Sequence, residues 1–69
     1  MKPRHYLYKG IFELRVKREE HGKGYIIMSR CVADDRKTRR FNSNLYSCFK
    51  EAQTNLDGMA RAVHLQEIK

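Results

Sequence analysis

Tyr6-Leu7-Tyr8-Lys9-Gly10-Ile11-Phe12-Glu13-Leu14-Arg15-Val16-Lys17-Arg18 is the stretch on which the fold turns. Tyr6, Tyr8, Phe12, Leu14 and Val16 point one way, while Lys9, Glu13, Arg15 and Lys17 point the other. A period of two predicts one long, half-buried strand with an apolar face and a charged face. Gly10 falls inside it, where a bulge or bend is expected. Glu19-Glu20-His21-Gly22-Lys23-Gly24 then reads as a turn, with two glycines able to take positive φ.

Downstream, Tyr25 to Ala33 predicts a second strand rich in β-formers. Both of its faces carry apolar residues, as in a central strand. If Arg30 faces solvent, Ile26, Met28 and Val32 share its face, and Tyr25, Ile27 and Cys31 face the core. Asp34-Asp35-Arg36-Lys37 reads as the next turn. Thr38 to Asn42 reads as a short third strand, with Phe41 inward and Thr38, Arg40 and Asn42 outward. Ser43 or Asn44 suits a helix N-cap, because either side chain can accept an orphan N–H. From there Leu45, Phe49, Ala52, Leu56, Met59 and Val63 form an apolar stripe at helical spacing, centred on Phe49. Gly58 costs about 1 kcal/mol in a helix interior. The unbroken stripe favours a helix that runs through it. The alternative is a helix ending near Asp57, with Ala62 to Ile68 returning as an extra strand. The expected fold is α+β: a three-stranded antiparallel sheet packed on one C-terminal amphipathic helix, β-β-β-α, with a possible C-terminal strand.

The 69 residues form a single small domain, with a basic tail, 1–5, expected to be mobile. A chain this short buries only about 60% of its unfolded surface, which leaves little room for both a core and a catalytic cleft. No apolar run approaches a secretory h-region of about 7–15 residues or a span of about 20, so the expectation is an intact cytoplasmic chain. Cys31 and Cys48 belong to no CxxC pair and are expected to be reduced; Cys48 reads as a structural thiol on the apolar helix stripe.

Charge is the strongest functional signal. Fifteen Lys and Arg against eight Asp and Glu give +7. Residues 1–40 hold twelve of the bases and five of the acids, whereas 41–69 hold three of each. The whole excess sits in the strand-forming part, as a polyanionic partner would favour. His5, His21 and His64 stand in no recognisable pattern with a nucleophile, which argues against catalysis. Structural zinc favours close ligand pairs, which are missing here. No cofactor or metal is expected.

On the outward face of the first strand lie Arg15 and Lys17; the second and third strands add Arg30 and Arg40. Arg36, Lys37 and Arg39 crowd the second hairpin and its exit. Adjacent strands lie about 4.8 Å apart and alternate residues about 7 Å apart, the scale on which phosphates and base edges repeat. Arginine outnumbers lysine eight to seven, and its planar fork suits phosphate and guanine. The candidate nucleic-acid-binding residues are therefore Arg15, Lys17, Arg30, Arg36, Lys37, Arg39 and Arg40.

Gly24-Tyr25-Ile26-Ile27, the run Asp34-Asp35-Arg36-Lys37-Thr38-Arg39-Arg40-Phe41 and the helix from Leu45 to Leu56 together resemble the small DNA-binding domains at the N-termini of tyrosine-family integrases, and the related AP2-type domains. The resemblance implies a sheet laid in the major groove and braced by the helix, with Arg15, Arg30 and Arg40 facing the bases. In style the chain also resembles small accessory proteins of phages and prophages. The expected function is a non-enzymatic nucleic-acid-binding module, acting on double-stranded DNA before RNA. The competing expectation is a protein-interaction module that binds an acidic partner or self-associates through the sheet. An exposed apolar stripe of Ile26, Met28 and Val32 would favour the latter.

Overall fold

A computed structural model describes residues 3–68, apart from the side chains of Asp35 and Lys37. The sequence-predicted site residue Lys37 and the tail residues Met1 and Lys2 therefore lie outside the described residues. Six elements follow in order: β1 (His5–Tyr8), β2 (Phe12–Arg18), β3 (Tyr25–Cys31), β4 (Asp34–Arg40), α1 (Phe49–Val63) and β5 (Gln66–Ile68). The strands form one sheet in the order β4-β3-β2-β1-β5, antiparallel throughout. The α+β class and the packing of sheet on helix are as expected. Among the described residues the strand count is five, not three.

Two of those strands come from the long first stretch. Lys9 (φ 55°) and Gly10 (φ 73°) both take left-handed backbone, and Ile11 N–H donates to the Tyr8 carbonyl at 3.3 Å. Positive φ at consecutive residues makes a tight hairpin turn, so the chain reverses where a bend was expected. Tyr8 then faces Phe12 and Tyr6 faces Leu14, which keeps the apolar residues on one side. His5, assigned to the tail by sequence, opens β1 and pairs with Ile68. The fifth strand adds to the helix instead of replacing its second half: α1 runs through Gly58 and ends on left-handed His64 (φ 58°), after which the chain returns beside β1.

Tyr46 explains why α1 starts at Phe49 and not after Ser43 or Asn44. Its N–H donates to the Tyr25 carbonyl and its carbonyl accepts from Tyr25 N–H, both at 2.8 Å. That reciprocal bridge holds the chain extended, and extended backbone cannot begin a helix. Cys48 becomes the N-cap and is exposed, so it is no buried thiol.

The core comprises Tyr6, Leu14, Ile27, Tyr46, Ala52, Leu56 and Ala60. Small Ala52 and Ala60 bring the helix close to β2 and β3, and Leu56, fully buried between them, is the centre. The stripe had been centred on Phe49. That ring is only half-buried and meets Tyr25 edge-on at 5.8 Å, while Leu45 and Val63 at the stripe's ends are 57% and 55% exposed. On the flank, the Tyr6 hydroxyl donates to Asp57 Oδ1 at 2.7 Å. Burial, reinforced by that carboxylate, raises the Tyr6 pKa above its ordinary value.

The second hairpin also differs. Its tight turn is Val32-Ala33, and Asp34–Lys37 lies within β4. Arg30 pairs with Thr38 while Cys31 pairs with Asp34, so residues 35–37 loop out of the ladder as a bulge.

Candidate nucleic-acid interface

Register assigns every strand residue to a face. Tyr6, Leu14 and Ile27 lie under the helix. Their neighbours along the chain form the uncovered face: Leu7 on β1, Glu13, Arg15 and Lys17 on β2, Ile26, Met28 and Arg30 on β3, and Thr38 and Arg40 on β4. Arg15, Met28 and Arg40 make one cross-strand row, and Glu13, Arg30 and Thr38 the next. The two arginines of the first row are separated by two strand spacings, about 10 Å at the backbone.

Four of the sequence-predicted residues thus share the open face: Arg15, Lys17, Arg30 and Arg40. Their electrostatic states differ. Arg30 donates through Nε (3.1 Å) and Nη2 (3.0 Å) to Glu13 Oε1. Glu13 is 9% exposed, and its other oxygen accepts from His5 Nδ1 at 3.2 Å. Arg40 Nη1 lies 3.7 Å from Glu19 Oε2, and its Nη2 donates to the carbonyls of Ser43 and Asn44 at 3.4 and 3.3 Å. Arg40 therefore fastens the segment after β4 to the sheet. Arg15 and Lys17 have no ion-pair partner among the described residues. They are the unspent cations of this face.

The remaining candidates lie elsewhere. Arg36 bonds to Asp34 Oδ1 through both its backbone N–H (3.1 Å) and Nε (3.3 Å), at the β4 bulge. Arg39 pairs with Ser29, which pairs with Leu14, so it sits on the helix side of the sheet. Sequence reading missed Glu13 and His5 as partners in the site. Glu13 shares the alternation of Arg15, but only the β2–β3 register shows that it faces Arg30.

The apolar content of the face is also settled by register. Ile26 is only 5% exposed, closed in beside Lys17, Glu19, Met28 and Arg40. Val32 is 49% exposed but belongs to the turn. Ile26, Met28 and Val32 do not form an exposed stripe.

Fold and face define a small α+β domain with one sheet face closed by a helix and the other open and basic. No family model, curated protein or solved structure matches the chain. Among the described residues, no helix is long and apolar enough to cross a membrane. No group of three or more His, Cys, Asp or Glu is gathered there as a metal site.

Proposed function

We propose that the protein is a non-enzymatic nucleic-acid-binding module whose open sheet face lies against double-stranded DNA. One observation carries the reading. Among the described residues, the carboxylates Glu13 and Glu19 of this face already have cationic neighbours, while Arg15 and Lys17 have no ion-pair partner. A solvated cation without an internal partner gains by neutralising phosphate and releasing its counterions. Arg15 and Lys17 track the backbone, and Arg30 and Arg40, held in place by their partners, add positive charge beside it. All seven aromatic residues lie off this face or outside the strands that form it, so it offers no ring for stacking unpaired bases. Paired bases in a duplex suit it better. The buried state of Ile26 supports this reading over docking of an apolar protein surface.

The test is an anisotropy titration of labelled duplex DNA, duplex RNA and heparin against the parent and Arg15→Ala/Lys17→Ala. Duplex DNA should bind more tightly than heparin of equal charge, and the double variant should lose on the order of ten-fold at moderate salt. Equal affinity for heparin and DNA, or an unaffected double variant, would overturn the reading.

A further inference from the structure

The helix-side face is not wholly covered. At the end of the sheet bearing Tyr8 and Phe12, a concavity of about 360 Å³ is lined by Phe12, Ser29, Arg39, Arg40 and Phe41, with no residue of α1 among them. That is the lower end of the volumes of ligand sites, about 300–1,000 Å³. Phe41 is built in: its N–H donates to the Ile27 carbonyl at 2.8 Å, and its ring meets Tyr8 edge-on at 5.6 Å. Those two residues lie on opposite sides of β2 and β3, so their rings reach toward each other across the sheet. Ser29, small and opposite Arg39, lines the same concavity. Among the described residues, no carboxylate lines the concavity. Arg39 has no ion-pair partner among the described residues, and on the far side Lys9 Nζ lies 5.4 Å from the Tyr8 ring centre.

Half-buried rings beside the exposed Arg39 are what a base and its phosphate require: a π-face for stacking, and a cation within reach across the sugar. A duplex cannot enter so small a hollow. We propose that this concavity takes one unpaired nucleobase, stacked on Phe12 or Phe41 with its phosphate on Arg39, as a second site whose rings lie on the helix side of the sheet and whose rim at the edge strand includes Arg40 of the duplex-binding face. Beyond Arg40, it shares with the proposed function only the class of ligand.

Three labelled probes test it: a blunt duplex, the same duplex with a short thymidine overhang, and the same overhang built of abasic sites. The parent should prefer the base-bearing overhang about ten-fold over the other two. Arg39→Gln and Phe41→Leu should each abolish that preference while leaving blunt-duplex affinity within about two-fold, with melting curves recorded for both. Arg39 is exposed, so Arg39→Gln carries the test even if Phe41→Leu fails to fold. Arg15→Ala/Lys17→Ala should weaken all three probes alike and keep the preference. Equal binding of thymidine and abasic overhangs overturns the second site and leaves the duplex reading standing. Overhang binding that depends on Arg39 but not on Arg15 and Lys17 does the reverse. An acidic peptide that displaces the overhang through Phe41 without Arg39 would identify a protein ligand and also overturn it.

Discussion

Glu13 shows how one side chain divides between stability and function. It is the one charged residue buried among the described residues, and it is buried on the face proposed to meet a polyanion. A carboxylate there is tolerated because both oxygens are satisfied, by Arg30 and His5. Its cost is to the charge of the face: it neutralises Arg30, while Arg15, one row along, has no ion-pair partner among the described residues. Glu13→Gln is nearly isosteric but removes the charge, so the two charge-assisted contacts weaken. The expected loss is about 1–2 kcal/mol of stability, since Arg30 remains partly solvated. Duplex affinity should move the opposite way, rising on the order of two- to five-fold as a negative charge leaves the face. Chemical denaturation and anisotropy on the same preparation measure both. A fall in affinity parallel to the fall in stability would mean that Glu13 positions the face instead of restraining its charge. Arg30 and Arg40 illustrate the limit of reading single residues. Alternation put both outward correctly, but outward is a direction, and their carboxylate partners come from register and loop geometry.

At the scale of elements, the joint between β3 and the Tyr46 bridge is where the fold is least tolerant. Gly24 has φ +135°, and a Cβ built there would lie 2.6 Å from the Tyr46 carbonyl oxygen and 3.2 Å from Leu45 Cδ1. That carbonyl accepts from Tyr25 N–H, so it cannot retreat without breaking the bridge. Gly24→Ala should cost about 2–4 kcal/mol, combining backbone strain with the clash. Gly22→Ala, in the same loop, meets only Glu19 Cγ at 3.4 Å and should change stability by less than about 0.5 kcal/mol. Equal melting points for the two would show that the bridge is not maintained in solution. The same joint explains which elements were legible. The face of β2 and the stripe positions Ala52 and Leu56 obey simple periods that burial enforces, whereas the stripe's centre falls at Leu56 and not at Phe49. Gly10 alone reads as a bulge or bend, because Lys rarely takes positive φ and Lys9 therefore gives no sign of the hairpin. The start of α1 was hidden because Tyr46 is held by a long-range strand bridge, for which a local cap motif at Asn44 offers no warning. Asp34–Lys37 looks like a turn in composition, but Asp34 pairs in the ladder and 35–37 form a bulge, since turn and bulge both need residues that tolerate irregular backbone.

For the whole molecule, the asymmetry of charge along the chain becomes an asymmetry between its parts. β1 to β4 arise from residues 1–40, which carry the entire net +7, and α1 with β5 arises from the segment that sums to zero. The molecule measures 30 × 27 × 23 Å, so its open face spans less than one turn of duplex, about 34 Å. Few phosphates lie within its reach. Arg15 and Lys17 engage fully, and Arg30 and Arg40 contribute in part, so the parent should show a slope of log K against log salt of about −2 to −4. Arg15→Ala/Lys17→Ala should flatten that slope by about 1.8, at about 0.9 per lost contact. Arg40 is left out of the pair because it also holds Ser43 and Asn44, so its removal would mix folding with binding. The matched control, Lys50→Ala/Arg61→Ala, removes the same formal charge from exposed positions on α1. A helix-borne charge acts on a sheet-bound duplex only through the long-range field, which is largely screened beyond about 10 Å at 0.1 M salt. The control should therefore match the parent in slope and differ little in affinity above that salt. If both doubles flatten the slope equally, the duplex is held by net charge with no preferred face, and the open sheet is not the site.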